Sequence, residues 1–504
     1  MANPLFDQLF GRHAGRTTPF LHLGDGSAIT HATFLAMAGQ YANAFSEIGL
    51  KPGDRLALQV EKSPHALAAY AAAVQAGIVF LPLNTGYTAA ELAYFVENSG
   101  AGLLVCDPAA AERLRPIASA SGARLETLDA QGGGTLSERA TAQPKQFHTA
   151  DRGAEDLAAF LYTSGTTGRS KGAMLTQVNL LSNAETLVDT WRFTAEDVLL
   201  HALPIFHTHG LFVATNVMLL AGGSMIFLPK FDLDAVIAHL PSATAMMGVP
   251  TFYTRLLDDE RFTKALVGHM RLFVSGSAPL LAETHLQFEK RTGHRILERY
   301  GMTETNMNTS NPYDGARRAG TVGFPLAGVE LKITDPVTGA KLPDGEIGQI
   351  EVRGPNVFKG YWQMPDKTRE ELREDGFFIT GDLGLIDDQG YLQIVGRNKD
   401  LIISGGYNIY PKEIEGLLDD QPGVLESAVV GVPHPDFGET VVGFLVAENG
   451  QAPDLDAIGA AVRAKLARFK HPRKLITLPE LPRNTMGKVQ KNLLRQDYGT
   501  LFTE

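Results

Sequence analysis

At 504 residues the chain exceeds what one hydrophobic core usually spans, so two or more domains are expected. Its 44% hydrophobic and 20% charged residues are those of an ordinary globular protein, and a net charge of −11 argues against general nucleic-acid affinity. No apolar run reaches the roughly 18–20 residues of a membrane helix, the opening residues lack a secretory pattern, and Cys106, the single cysteine, excludes an internal disulfide or a cysteine metal cluster. A cytoplasmic protein with no membrane or nucleic-acid partner is therefore expected.

In chain order, His31–Ile48 places Phe34, Met37, Tyr41, Phe45 and Ile48 on one helical face, and Gly49 supplies the stop. Strand-like Leu56–Val60, an alanine-rich helix ending at Gly77 and apolar Ile78–Leu83 come next. This βαβ rhythm predicts mainly parallel sheets covered by helices. Cys106 closes the apolar run from Gly102 and reads as a buried strand thiol. Runs at Ser224–Leu228, Leu272–Ser275 and Arg295–Glu298 extend the pattern. From about 320 to 396 the texture changes to short strands between Gly, Pro and Asp turns, as in Val329–Ile333, Gln349–Arg353 and Tyr391–Val395, which predicts a smaller β-rich subdomain. After Arg397 an α+β unit begins, with a helix over Asp456–Arg468 that aligns Ile458, Val462 and Leu466. The expected fold class is α/β, with a large N-terminal domain over residues 1–396 and a small α+β C-terminal domain over 397–504. Between Arg463 and Arg495, ten Lys/Arg face one acid, Glu480, leaving +9 locally. A solvated helix face accounts for part of this charge, and the rest suits a phosphorylated ligand.

The strongest local signal is Tyr162-Thr-Ser-Gly-Thr-Thr-Gly-Arg-Ser-Lys-Gly172, directly after apolar Leu157–Leu161. Gly165, Gly168 and Gly172 let successive N–H groups turn toward one anion. Thr163, Ser164, Thr166 and Thr167 add hydroxyl donors, and Lys171 adds a full charge. Lys171 is followed by Gly172 and not by Ser or Thr, so this is no Walker loop. A flexible Ser/Gly linker is the bland alternative; the lysine and the preceding strand favour phosphate binding.

Four further motifs lie downstream: Tyr300-Gly-Met-Thr-Glu-Thr305, Thr380-Gly-Asp382, Gly396-Arg-Asn-Lys-Asp-Leu-Ile-Ile-Ser-Gly-Gly406 and Pro482-Arg-Asn-Thr-Met-Gly-Lys-Val-Gln-Lys491. Any one alone is a turn. Five in this order, spanning Tyr162 to Lys491, resemble the adenylate-forming superfamily of acyl-CoA synthetases, peptide-synthetase adenylation domains and luciferases. The resemblance implies an acid–thiol ligase that joins a carboxylate to ATP, releases pyrophosphate and passes the acyl group from the adenylate to CoA, leaving AMP. It also implies Mg²⁺ at Glu304, a hard oxygen ligand, and Thr303 on the α-phosphate. Ser277, Ala278, Pro279, Glu298, Tyr300, Gly301 and Met302 would line the nucleotide slot, with Tyr300 stacked on the base. Asp382 and Arg397 would hold the ribose. Lys488 is the implied adenylation lysine, and its counterpart in many acyl-CoA synthetases is acetylated, which would make a lysine acetyltransferase and deacetylase its partners. Lys399 matches a hinge about which a mobile terminal domain rotates, withdrawing Lys488 and bringing Ser404, Gly405 and Gly406 to a pantetheine arm; a helix-capping turn competes for the same glycines. His207 matches an aromatic position beside the acyl group, whereas His209 matches nothing assigned.

The acid is read from Glu298-Arg-Tyr-Gly301. Superfamily members that take uncharged acids commonly carry a small or neutral residue where this chain has Arg299, and an arginine there suits a second carboxylate. Arg255 lies on the segment that usually walls the acyl pocket. The pair resembles malonyl-CoA synthetases, including members that accept methylmalonate; the competing reading is that Arg299 ion-pairs internally and Arg255 faces solvent. Two functional alternatives also stand: a ligase for another small carboxylate, and a stand-alone adenylation enzyme that loads a carrier-protein thiol.

Overall fold

In the computed structural model, which describes residues 3–163, 170–404, 407–448, 453–484 and 487–502, the expected helix runs over His31–Ile48. The Thr30 side chain accepts from the Thr33 amide at its start, and Gly49 ends it at a φ of 98°, where a side chain would be strained. Phe34, Tyr41, Phe45 and Ile48 are buried, while Met37 at the edge of that face is half-buried.

By packing, the chain divides into one unit of Met1–Glu330 and Val352–Phe378 and a second of Leu331–Glu351 and Ile379–Glu504. The first unit is built on two sheets. One runs Arg124–Thr127, Leu103–Cys106, Arg55–Gln59, Val79–Pro82, Leu157–Thr163, Lys171–Thr176. The other runs Phe324–Pro325, Asn306–Ser310, Leu297–Met302, Leu272–Ser275, Ala245–Gly248, Val198–His201, Ser224–Phe227, Pro19–His22, Ala28–Thr30. Their interiors are parallel, and antiparallel pairs occur only at the edges. Strands such as Leu103–Cys106 and Leu272–Ser275 are buried at every position, which is why they read as continuous apolar runs. Cys106 is a fully buried strand thiol, and burial pushes its pKa up to about 11. The strand expected at Arg295–Glu298 instead occupies Leu297–Met302, because Arg295 faces solvent and pairs with Glu289 at 2.7 Å. Glu298 through Met302 therefore lie on the strand itself.

The second unit carries a five-stranded sheet in which Tyr407–Ile409, Ile402–Ser404, Gly438–Ala447 and Val424–His434 are adjacent and Lys474–Leu478 runs parallel to Gly438–Ala447. Alternation along its strands sorts two cores: Val429, Val441 and Leu445 meet Ile414, Leu418, Ile458 and Val462, while Val430, Val442 and Phe444 meet Leu481 and Leu494. The helix expected over Asp456–Arg468 spans Leu455–Lys465, and Leu466 is already extended. The β-rich stretch forms a four-stranded sheet, Glu330–Thr334, Gly348–Arg353, Phe378–Ile386, Leu392–Arg397. Packing groups most of it with the second unit, whereas the sequence places the break at 396/397; helix Pro411–Asp419 packs against strand Leu392–Arg397. Among the described residues no helix is long and apolar enough to cross a membrane.

One polar knot braces the longer sheet. Arg271 grips Asp197 through Nε–Oδ1 at 2.7 Å and Nη2–Oδ2 at 2.8 Å, and its Nη1 donates to the Trp191 carbonyl at 2.9 Å. Thr244 Oγ1 and the Thr194 amide also donate to Asp197, each at 2.8 Å. Burial raises the Asp197 carboxyl, but Arg271, Thr194 and Thr244 outweigh it and hold the pKa below the ordinary value. The stability it contributes is thus fully present above about pH 4 and lost as pH falls through the depressed folded value. Asp197→Ala is expected to cost about 2–3 kcal/mol at pH 7, since it takes the carboxylate from a half-buried guanidinium that keeps only the Trp191 carbonyl among these bonds. Denaturant titration at pH 7 and pH 3 should show that difference shrinking at the lower pH.

Candidate active site

Strands Leu272–Ser275 and Leu297–Met302 are parallel neighbours, and the chain leaves both at the C-terminal edge of the sheet, where open α/β folds place ligands. The second strand turns back through Thr303–Thr305 into Asn306–Ser310. Gly301 is required there, because a Cβ would lie 1.9 Å from the Asn306 carbonyl oxygen. The turn carries half-buried Thr303 and buried Glu304.

Glu304 joins the expected phosphate loop through hydrogen bonds. Its Oε1 accepts from Thr163 Oγ1 at 3.3 Å and lies 3.1 Å from the Tyr361 hydroxyl, which is also 2.6 Å from Glu371 Oε2. Thr163 and Lys171 are paired across the two strands that flank the loop. Lys171 Nζ sits 3.0 Å from both Glu371 oxygens and 4.1 Å above the Tyr361 ring. Burial pushes the Glu304 carboxyl up; at Glu371 burial acts the same way but is outweighed by Tyr361, Lys367 and Lys171. Glu371 is therefore the charged partner of Lys171. Glu304 is the carboxyl whose ionisation a nearby cation would favour. Ser164, Gly165, Thr166, Thr167 and Gly168 lie outside the described residues.

The neighbouring end is cationic. Arg299 is 4% exposed, and its Nε and Nη2 meet no acceptor among the described residues. Burial pushes its pKa down to about 9, still well above neutrality, and Tyr253 alone pulls it back. The guanidinium occupies space that Gly276 leaves, since a Cβ there would stand 2.3 Å from Arg299 Cζ. Ser277 adopts a φ of 71° and brings its Oγ within 3.1 Å of His209 Nδ1. Such a backbone angle on a non-glycine residue is itself a pointer to a functional position. His209 is buried, its Nε2 has no partner among the described residues, and burial followed by the Arg299 charge holds it neutral. Half-buried His207 accepts from the His209 amide through Nδ1 at 3.3 Å, just before a wide π-helical stretch over His209–Thr215.

Ala278 is half-buried and Pro279 exposed after the first strand; Glu298 and Tyr300 are buried and Gly301 and Met302 half-buried on the second, so the expected nucleotide-slot residues share adjacent strand ends. Arg255 departs from expectation. It lies on the solvent face of helix Pro250–Leu257, with Cζ 5.9 Å from the Phe231 ring centroid, because the buried positions of that helix are Tyr253 and Leu256.

In the second unit Asp382 and Arg397 face each other across paired strands, Nε–Oδ1 3.0 Å. Lys399 is exposed in the turn Asn398–Asp400, and Ser404 ends strand Ile402–Ser404; Gly405 and Gly406 lie outside the described residues. Lys488 is exposed, and its amide donates to Asn484 Oδ1 at 2.9 Å.

Sequence reasoning left His209 unassigned and passed over Gly276, Tyr361, Glu371 and Lys62. Lys62 is buried, with Nζ 2.8 Å from both His201 Nδ1 and the His201 carbonyl, and lines a cavity of about 230 Å³ with Ile205, Phe206, Lys230, Phe231 and Phe252. A glycine directly after a buried strand was the available signal; Lys62 stands in the polar stretch Glu61-Lys-Ser63 and carries none. Gly276→Ala is expected to leave the fold intact and displace the Arg299 guanidinium. A crystal structure should show the side chain moved, and calorimetry should show binding of a small dicarboxylate weakened about 30-fold or more.

Residues 9–362 match the family model described as AMP-binding enzyme, and residues 413–488 match that of the AMP-binding enzyme C-terminal domain. A malonate–CoA ligase of Arabidopsis thaliana is 36% identical over 491 residues, covering 91% of this chain and 80% of that one. A feruloyl-CoA synthase of an Amycolatopsis species is 36% identical over 478 residues, covering 94% and 95%. Among solved structures, ATP-bound MatB from Rhodopseudomonas palustris superposes with a TM-score of 0.98 at 57% identity over 100% of both chains.

Proposed function

The chain belongs to the AMP-binding enzyme family, and we propose that it is an ATP-dependent malonate:CoA ligase that works through a malonyl adenylate, releases pyrophosphate and AMP, and admits methylmalonate as a further substrate. The observation that carries the choice of acid is Arg299. A buried guanidinium with two nitrogens that meet no acceptor among the described residues is costly, and a second carboxylate on the substrate would satisfy both in a bidentate pair. Identity alone leaves a feruloyl-type aromatic acid open; the buried charge disfavours it, because an apolar ring offers that guanidinium no acceptor.

In this reading the first carboxylate of malonate attacks the α-phosphate while Arg299 holds the second, which fixes the line of approach. The loop from Thr163 to Gly168 and Lys171 hold the β- and γ-phosphates, Lys171 exchanging Glu371 for phosphate oxygens. Thr303 donates to the α-phosphate. Ser277 to Pro279 and Glu298 to Met302 form the adenine slot, with Tyr300 on the base, and Asp382 and Arg397 hold the ribose hydroxyls. Glu304 fits Mg²⁺: it is a hard carboxylate whose burial penalises its charge in the absence of a cation. When bound, that ion neutralises phosphate charge. Lys488 offsets the charge that develops at the acyl-phosphate oxygen.

For the thioester step, the hinge at Lys399 withdraws Lys488, Ser404 with Gly405 and Gly406 leaves room for pantetheine, and His207 gates the thiol. Recognition of CoA is assigned to the basic tail. Exposed Phe469 and Tyr407 stack with centroids 4.6 Å apart, a platform for adenine, beside Arg468, Lys470 and Arg473 for phosphate. Acetylation of Lys488 would remove the charge the first step uses.

Lys488→Ala is expected to lower malonate-dependent ATP–pyrophosphate exchange at least about 100-fold while preformed malonyl adenylate still reacts with CoA; equal loss in both assays contradicts the assignment. Arg299→Ala should lose about 2–5 kcal/mol of transition-state binding for malonate and far less for propionate. Steady-state kcat/KM for the two acids measures this, and equal losses contradict the pocket. Replacing CoA by an acidic carrier protein separates the carrier-loading alternative.

A further inference from the structure

The hairpin that carries Lys488 is closed by local bonds: Arg483 and Val489 form an antiparallel bridge, the Asn484 amide donates to the Lys488 carbonyl at 2.9 Å, and the Gln490 amide donates to the Pro482 carbonyl at 2.7 Å. These fix its shape. Its aim comes from elsewhere. Arg483 forks, with Nη1 donating to the Gly487 carbonyl at 2.5 Å, one residue before Lys488, and Nη2 paired with Glu426. On the far side of Lys488, Lys491 Nζ pairs with Glu415 Oε1 at 2.5 Å, and that same oxygen accepts from the Val429 amide at 2.8 Å. Both anchors thus end on strand Val424–His434. One helical turn beyond Lys491, Arg495 reaches Asp400 at 2.5 Å, in the turn that holds Lys399.

The acids that receive the clamp are arranged for it. Burial pushes Asp419 up to about 7, with Ser427 and Lys412 acting against the shift and Glu415 and Glu426 adding to it. With Asp419 substantially protonated near neutrality, two carboxylates meet two cations in a partly buried setting, where such pairs are worth more than on the surface. The base of the hairpin is held independently by apolar contacts of Leu481, Val489 and Leu494 with the core around Phe444, so its fold does not depend on the charges.

We propose that Arg483 and Lys491, seated on Glu426 and Glu415, are positioning residues that aim the Lys488 ammonium during adenylation. The inference rests on the role given to Lys488 above and extends it: both side chains are turned to carboxylates of the same unit, and each acts through the backbone on one side of that lysine.

The test compares wild type with Arg483→Met, Lys491→Met and the double variant in two assays, acid-dependent ATP–pyrophosphate exchange and the reaction of preformed acyl adenylate with CoA, alongside thermal melting. Exchange is expected to fall about 10–100-fold, the scale of an ångström-sized misplacement. The thioester assay should stay within about twofold and the melting temperature within a few degrees, which a merely structural role would not produce. Arg483→Lys and Lys491→Arg, which keep the charge, should retain exchange within about threefold of wild type. Unchanged exchange in the Met variants, or parallel loss in both assays, overturns the positioning role while wild-type exchange leaves the ligase reading standing. Wild-type exchange with no acid overturns that reading itself, and this one with it.

Discussion

A guanidinium enclosed at the ends of two parallel strands is a charge taken out of water with two of its nitrogens lacking acceptors among the described residues. Such a cost persists only where something compensates it. Much of the surrounding structure serves to keep it there: Gly276 gives up its side chain to make room, Ser277 accepts a left-handed backbone, and His209 is held neutral so that it adds no second cation. Under the proposed role of Arg299, a dicarboxylic substrate would convert this local instability into affinity and orientation together, since the anion that relieves Arg299 is tethered to the carboxylate that must react.

The phosphate end obeys the opposite logic. There the charges are paired before any ligand arrives, Lys171 with Glu371 and both carboxylates through Tyr361. Under the proposed role of Lys171, a polyphosphate would displace this existing ion pair, and its binding would be an exchange and not a capture. Under the proposed roles, the unsatisfied Arg299 and the paired Lys171 would make the acid the more selectively recognised of the two substrates.

Much of the fold was legible because the physics is local. Buried parallel strands read as apolar runs and the helix at His31–Ile48 as a 3.6-residue stripe closed by Gly49, whereas the strands Val424–His434 and Gly438–Ala447 that sort the two cores of the second unit were not singled out. The motif residues were legible through resemblance, and the structure brings Thr163, Lys171 and Glu304 together, and Asp382 with Arg397. What escaped depends on long-range approach. Nothing in Pro365–Glu371 announces that Glu371 meets Lys171, 200 residues away, and Gly276 looks like any glycine after a strand until Arg299 is placed against it. Arg255 misled for the complementary reason: its sequence position was right for a pocket wall, but the helix turns it outward.

The most direct test of the central claim keeps the protein unaltered and removes charge from the substrate. Malonamic acid has the shape of malonate with one carboxylate replaced by a neutral amide. If Arg299 exists to pair with that carboxylate, kcat/KM for malonate should exceed that for malonamic acid by about 100-fold or more at neutral pH. Comparable values for the two acids would contradict it.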